Sequence, residues 1–137
     1  MIRTAERSDI PRIFEIRAAV RENKLSNPEL VTPADCEWFI DNSAFWLWVE
    51  DEDVQGFSAA DPRDGTIFAL FIHPDYEGRG IARKLLPLAC ETLRAAHHNS
   101  ATLTTDAGTR AEMFYRQDGW TEIGRQEDGQ IIFRKDI

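Results

Sequence analysis

The stretch Thr66–Leu86, TIFALFIHPDYEGRGIARKLL, decides how this chain folds. Ile67, Phe68, Leu70, Phe71 and Ile72 form an apolar run of strand length and composition. Pro74 has no N–H to give a sheet ladder, so strand pairing is expected to stop there. Gly78 and Gly80 then leave the backbone bare where the chain turns into a helix beginning near Ile81. A helix N-terminus presents unpaired N–H groups and the positive end of the helix dipole. With no side chains in the way, such a loop can hold phosphate oxygens. Arg79, Arg83 and Lys84 add positive charge at the same spot. A tight strand-to-helix turn with no ligand would carry the same two glycines. Two nucleotide loops do not fit: a dinucleotide fingerprint G-x-G-x-x-G needs glycine where Arg83 stands, and a P-loop needs G-K-[ST].

The rest of the chain bounds the answer. Its 137 residues suit a single domain, 1–137, large enough to bury a substantial core. The formal net charge of −8 argues against nucleic acid as a partner, since phosphate backbones are held by surplus Lys and Arg. The same charge suits a cationic substrate such as an amine, and equally suits plain solubility. No apolar run reaches membrane-spanning length, which gives no expectation of a membrane partner. The start, MIRTAERSDI, lacks the apolar region of a signal peptide, so the expected location is cytoplasmic. Cys36 and Cys90 lack metal-ligand spacing and read as small core residues; no metal is expected.

The elements on either side follow from capping and periodicity. Met1–Ala5 reads as a first strand. Ser8 as cap and Pro11 in the first turn open a helix from about Asp9 to Glu22, with Ile10, Ile13, Phe14, Arg17 and Val20 along one face. Thr32-Pro33 with Asp35 starts a second helix reaching about Asn42. Ala44–Val49 and Gln55–Ala60 are strands around an acidic turn, and residues 61–65 form a second turn before the organising strand. Trp46 and Trp48 on the first of these strands read as core. The helix after the glycines carries a wide apolar face and Pro87, which predicts a kink. Ala101–Thr105 is a strand. Thr109 with Glu112 forms a capping box for a helix that Gly119 ends. Two last strands, Trp120–Gly124 and Ile131–Lys135, close the chain.

This order, together with two motifs, resembles the GNAT superfamily of N-acetyltransferases. The first is a strand, a proline and a [QR]-x-x-G-x-[GA] loop opening a helix, here His73-Pro74-Asp75-Tyr76-Glu77-Gly78-Arg79-Gly80-Ile81-Ala82. The second, Y-x-x-x-G-[FW], is here Tyr115-Arg116-Gln117-Asp118-Gly119-Trp120. The resemblance implies an α/β (α+β) fold with a mixed, mostly antiparallel central sheet, helices on both faces, and the order β-α-α-β-β-β-α-β-α-β-β. The sequence departs from the family pattern at Glu77, where Gln or Arg is usual, at Gly108, where many members carry Asn, and at Leu103, where some carry a glutamate base.

The chemistry that the resemblance implies is acetyl transfer from acetyl-CoA, as co-substrate, to a primary amine of a small molecule or protein. The diphosphate would sit on the backbone of Gly78, Arg79, Gly80, Ile81, Ala82 and Arg83, and the pantetheine arm beside Leu70, Phe71 and Ile72. The organising strand and Ala101–Thr105 would splay apart to admit it. Tyr115 is the expected general acid for the departing thiolate; a tyrosine packed at a helix end with a satisfied hydroxyl is the plain alternative. The base stays open between Asp106, which could instead shape a turn, and His73, which could instead pack. Acceptor choice falls to the loop between the first two helices, where Glu22 could pair an ammonium and Arg21 a carboxylate, or both could be solvated helix-end charges. Members often pair as dimers, which makes a homodimer an expectation. A non-catalytic acyl-CoA-binding or interaction module on the same scaffold is the competing reading.

Overall fold

The computed structural model describes residues 1–20 and 32–137. In chain order the elements are β1 (Ile2–Thr4), α1 (Ile10–Ala19), α2 (Pro33–Asp41), β2 (Phe45–Glu50), β3 (Asp53–Asp61), β4 (Thr66–Ile72), α3 (Ile81–Ala95), β5 (Ser100–Thr105), α4 (Arg110–Gln117), β6 (Thr121–Arg125) and β7 (Ile131–Asp136). Among the described residues, 3-10 turns lie at Arg7–Asp9 and Pro74–Tyr76. This is the order that the sequence implied.

The strands form one sheet, β1-β2-β3-β4-β5-β7-β6. All neighbours are antiparallel except β4 and β5, which run parallel and register at a single pair, Thr66 with Thr102. Beyond that pair the two strands have no further register, so the sheet opens toward their C-terminal ends. Side-chain alternation sorts residues onto its two faces. On one face Phe45, Leu47, Phe57 and Ala59 join Ile13 and Ile16 of α1 and Cys36 and Phe39 of α2 in a buried cluster. On the other, Ala60, Ile67, Leu103 and Phe133 pack with Leu86, Ala89 and Leu93 of α3 and Tyr115 of α4. Trp46 and Trp48 turn to the α3 side: the Trp46 indole N–H donates to Thr92 Oγ1 at 3.2 Å, and Lys84 lies 4.5 Å from the Trp48 ring.

Local chemistry explains the element ends. At α2 the Thr32 hydroxyl accepts from Asp35 N–H while the Asp35 carboxylate accepts from Thr32 N–H, a reciprocal capping box. Ser8, read as the cap of α1, lies inside the 3-10 turn instead. Asp9 takes that place with no side-chain cap on α1; its carboxylate turns back to accept from Glu6 N–H at 2.8 Å and to pair with Arg3. Helix α1 stops at Ala19 because Val20 is extended (ψ 127°); the expected continuation to Glu22 lies outside the described residues. The β2–β3 turn is Asp51-Glu52, both left-handed (φ 51° and 61°), the twist that a two-residue hairpin favours. Helix α3 continues through Pro87, which offers no N–H to Arg83 C=O, and the buried Ser58 hydroxyl donates to the C=O of Leu85, two residues before the proline, at 3.0 Å.

The turn into β4 is held by a buried carboxylate. Asp61 accepts from Arg63 N–H at 3.0 Å and from its guanidinium at 2.9 Å, and Arg63 stacks 3.6 Å over Trp38. The hydrogen bond from the Arg63 side chain is the main reason that the Asp61 carboxyl is held below the ordinary range. A carboxyl lowered on folding adds stability above its unfolded pKa of about 4, lost as pH falls through the lower folded value. The expected outcome is that Asp61→Asn lowers the melting temperature by a few degrees at neutral pH and that the gap to the wild type narrows below about pH 4, read by thermal melts across pH.

Candidate functional site

The opening between β4 and β5 organises two cavities. On the α3/α4 side a cleft of about 360 Å³ is lined by Leu70, Phe71 and Ile72 of β4, by Gly78, Gly80, Ile81, Ala82 and Arg83, and by Arg110, Phe114 and Tyr115 of α4. On the α1/α2 side a second cavity is lined by Ile13, Phe14 and Arg17, by Cys36, by Phe57, by Ile67–Phe71, by Leu103, Thr104 and Thr105, and by Gln130. Phe71, Leu70 and Tyr115 border both.

The glycine loop has the form expected of a cradle. Gly78 and Gly80 hold φ of 79° and 78°, a left-handed conformation that disfavours side chains, and a Cβ on either would meet nothing within 4 Å. Gly80 is the N-cap of α3, and no side chain caps that helix. Its first N–H groups therefore have no side-chain cap, and the residues that carry them, Ile81, Ala82 and Arg83, line the cleft. Of the three basic residues expected beside it, Arg83 lines the cleft, 5.9 Å from the Phe114 ring. Arg79 lies 5.3 Å from the Tyr76 ring and Lys84 against Trp48; neither side chain is among the lining residues.

Two departures from the family pattern gain a physical account. The Glu77 carboxylate accepts from Arg110 at 2.8 Å, so the acid beside the cradle is neutralised by the first residue of α4. Gly108 sits at φ 77°, a conformation that Gly and Asn tolerate best. Its N–H donates to Glu112 at 2.8 Å. The expected capping box is thus half made: Thr109 Oγ1 accepts from Glu112 N–H at 3.2 Å, and Glu112 reaches back past Thr109 to Gly108.

Tyr115 is buried, 6% exposed, with its ring against Phe114, Trp120 and Phe133 at centroid distances of 5.3, 5.8 and 5.9 Å. Its hydroxyl has no hydrogen-bond partner among the described residues, which is not the satisfied packing of the plain alternative. Burial is the main cause that pushes its pKa well above that of an ordinary phenol, with Asp118 and Cys90 adding to it. The two candidate bases lie elsewhere. His73 Nδ1 accepts from Asp75 N–H at 3.1 Å and caps the 3-10 turn, and the Asp106 carboxylate accepts from Gln130 Nε2 at 3.2 Å. Neither residue lines either cavity, and the α1/α2 cavity has no carboxylate or imidazole on its wall among the described residues. The acceptor candidates Arg21 and Glu22 lie outside the described residues.

Sequence reasoning missed Arg17 and Cys36 as cavity residues. Arg17 did carry a signal, a charge within the apolar stripe of α1. The Cys36 thiol is pushed up to about 11, mainly by burial, and so stays protonated and weakly nucleophilic near neutral pH.

A family model described as acetyltransferase (GNAT) domain matches residues 19–133, and the chain belongs to that family. Solved structures share the fold at low identity. The ribosomal-protein-alanine N-acetyltransferase of Brucella melitensis is 20% identical, with a TM-score of 0.80 over 100% of this chain and 99% of that one. PaiA N-acetyltransferase of Thermoplasma acidophilum, solved with coenzyme A, is 16% identical, with a TM-score of 0.78 over 100% and 98%. YncA of Salmonella typhimurium, solved with its cofactor acetyl-CoA, is 17% identical, with a TM-score of 0.78 over 99% and 92%. No curated protein matches the sequence. Among the described residues no helix is long and apolar enough to cross a membrane.

Both tyrosines of the chain, Tyr76 and Tyr115, have raised pKa values, Tyr76 because its hydroxyl donates to Asp53 at 2.8 Å. An acid raised on folding adds stability below its unfolded pKa of about 10, lost as pH rises above it. Alkaline absorbance titration should therefore show little phenolate at pH 10 in the folded chain. Half-ionisation of both tyrosines at about pH 10, with the fold intact, would contradict the burial of Tyr115.

Proposed function

We propose that this chain is an N-acetyltransferase that moves an acetyl group from acetyl-CoA to a primary amine of a small molecule or protein, directly, with both substrates bound at once. The observation that carries this reading is the position of Tyr115, whose unpartnered hydroxyl belongs to a residue on the wall of both cavities. Acetyl-CoA suits the residues present. Gly78 and Gly80 leave open space where side chains would stand, the uncapped start of α3 favours a diphosphate, and the unpaired edge of β4 at Leu70–Ile72 can hold the pantetheine amides as an added strand. The PaiA and YncA structures, solved with coenzyme A and acetyl-CoA, support the same assignment.

Acetyl-CoA supplies the acetyl group and a thiol leaving group. The chain supplies placement: holding two reactants in line across the β4–β5 gap accounts for much of the acceleration. Backbone N–H groups of the β4 edge can stabilise charge that develops on the thioester oxygen. Tyr115 faces the departing sulfur. A thiol ionises near 8.5 and a phenol near 10, so full proton transfer from Tyr115 to the thiolate is uphill, more so after burial. Its contribution is chiefly a hydrogen bond to sulfur. Cys36, held protonated, takes no acetyl group. With no acid or imidazole on the described acceptor wall, the amine arrives unprotonated or loses its proton to water.

The same bare wall favours a second reading, a non-catalytic acyl-CoA-binding module, and one set of measurements separates the two. Acetyl-CoA at saturating concentration should raise the melting temperature by several degrees, and Gly80→Glu should abolish the shift. Thiol release with an amine panel should fall on the order of 10²-fold or less in Tyr115→Phe while the acetyl-CoA shift remains. The rate should climb with pH toward the amine's own pKa, with no fall attributable to Tyr115 below about pH 10. Binding without turnover across the panel would establish the module, and no shift with acetyl-CoA or CoA would refute both.

A further inference from the structure

We propose that the amine acceptor carries a carboxylate and that Arg17 binds it. The inference rests on the acetyltransferase reading and names the acceptor class of that site. Among the described residues, nine arginines are paired with an acid: Arg3, Arg7, Arg12, Arg63, Arg94, Arg110, Arg116, Arg125 and Arg134. The arginines without one are Arg79 and Arg83, at the glycine loop, and Arg17. In a chain of net charge −8, acids are plentiful, so unpaired guanidinium groups on both sides of one opening, Arg83 and Arg17, are not a matter of supply. Arg83 lines the cleft beside the glycine loop, and Arg79 stands in that loop with its side chain by Tyr76, outside the cleft. Arg17 stands on the other side, on the wall of the acceptor cavity.

The guanidinium of Arg17 is half-buried and lies 4.4 Å from the centroid of the Phe71 ring. Burial lowers its pKa, so the charge is held there against a desolvation cost. Stacking on a ring occupies the face of a guanidinium and leaves its N–H edge available for bidentate binding of a planar anion. Phe71 also borders the donor cleft. A carboxylate on Arg17 would therefore fix the rest of the acceptor against the residue that divides the cavities, with its amine directed to the β4–β5 gap. The described wall offers no acid to an ammonium-rich acceptor, so the local charge reverses what the net charge suggested. The reaction balances without Arg17 changing state. A C–N bond forms, the C–S bond breaks, the amine gives up a proton and sulfur gains one, and the carboxylate leaves with the N-acetylated product.

The test pairs each amino acid of a standard set with its C-terminal amide as acceptors for the full chain and acetyl-CoA, followed by thiol release. For the acids that are substrates, kcat/KM should exceed that of the matched amide by at least about 10-fold, since hydrogen bonds to charged groups contribute about 1.5–3 kcal/mol. Arg17→Met should bring the ratio near one, mainly through KM, and Arg17→Lys should restore part of it. As a readout independent of turnover, N-acetyl amino acids should stabilise the CoA-saturated protein more than N-acetyl amino acid amides, and Arg17→Met should remove the difference. Amides used or bound as well as acids, or a ratio unchanged in Arg17→Met, would overturn the proposal. So would an Arg17-dependent preference for succinyl-CoA over acetyl-CoA, which would assign the anion to the donor. An acetyl-CoA shift with neither turnover nor any acid-over-amide difference would refute the acceptor class while leaving the donor site standing. Loss of that shift would be a failure of the acetyltransferase reading itself.

Discussion

One interrupted strand pairing governs this molecule. β4 and β5 are parallel neighbours that meet only where Thr66 faces Thr102, with Thr102 N–H donating to Gly65 C=O at 3.1 Å. Everywhere else in the sheet the ladders run the length of the shorter strand or nearly so. A strand edge left bare inside a sheet is costly unless something else pairs with it or water reaches it. Here it opens onto two cavities. The β3–β4 ladder on one side, and β5–β7 on the other, hold the two halves rigid, so the gap is fixed by pairing on its flanks.

Around that gap, charge is disposed sparingly. Nine arginines are tied to acids; the α3/α4 cleft keeps Arg83 on its wall, and the α1/α2 cavity keeps Arg17. Glu77, an acid beside the loop, is bridged to Arg110 from the first turn of α4. That pair is exposed, 66% and 39%, so its direct contribution to stability is small, and its consequence is electrostatic cover for the loop. Tyr115 reaches the same junction from α4 with Phe114, Trp120 and Phe133 packed about its ring. A phenol so enclosed stays neutral, which suits a hydrogen-bond donor to sulfur.

Much of this was legible in the chain because the decisive features are local. The glycines at 78 and 80, Pro74 after the apolar run, Thr32 with Asp35, and Gly119 after α4 act through backbone geometry within a few residues, and each stands where the reading put it. The cap of α1 was misread because a 3-10 turn, Arg7–Asp9, precedes the helix and moves its start past Ser8, with the Asp9 carboxylate turned back to Glu6 N–H and Arg3. The roles of His73 and Asp106 were illegible as well. Their nearness to the ends of β4 and β5 is a fact of sequence. Which way each side chain faces depends on Asp75 N–H and Gln130, the latter 24 residues away. Arg17 was visible as a charge on an apolar helix face, but its meaning depends on a missing partner, and absence of a partner is a property of three dimensions.

Backbone amide hydrogen exchange with and without acetyl-CoA probes the interrupted edge most directly. The amides of residues 70–72 that face β5, and those of residues 78–83 at the start of α3, should exchange quickly in the free chain and become protected on adding acetyl-CoA, while amides in the β3–β4 ladder stay protected throughout. Protection appearing elsewhere, or an edge of β4 already protected in the free chain and indifferent to acetyl-CoA, would contradict the account.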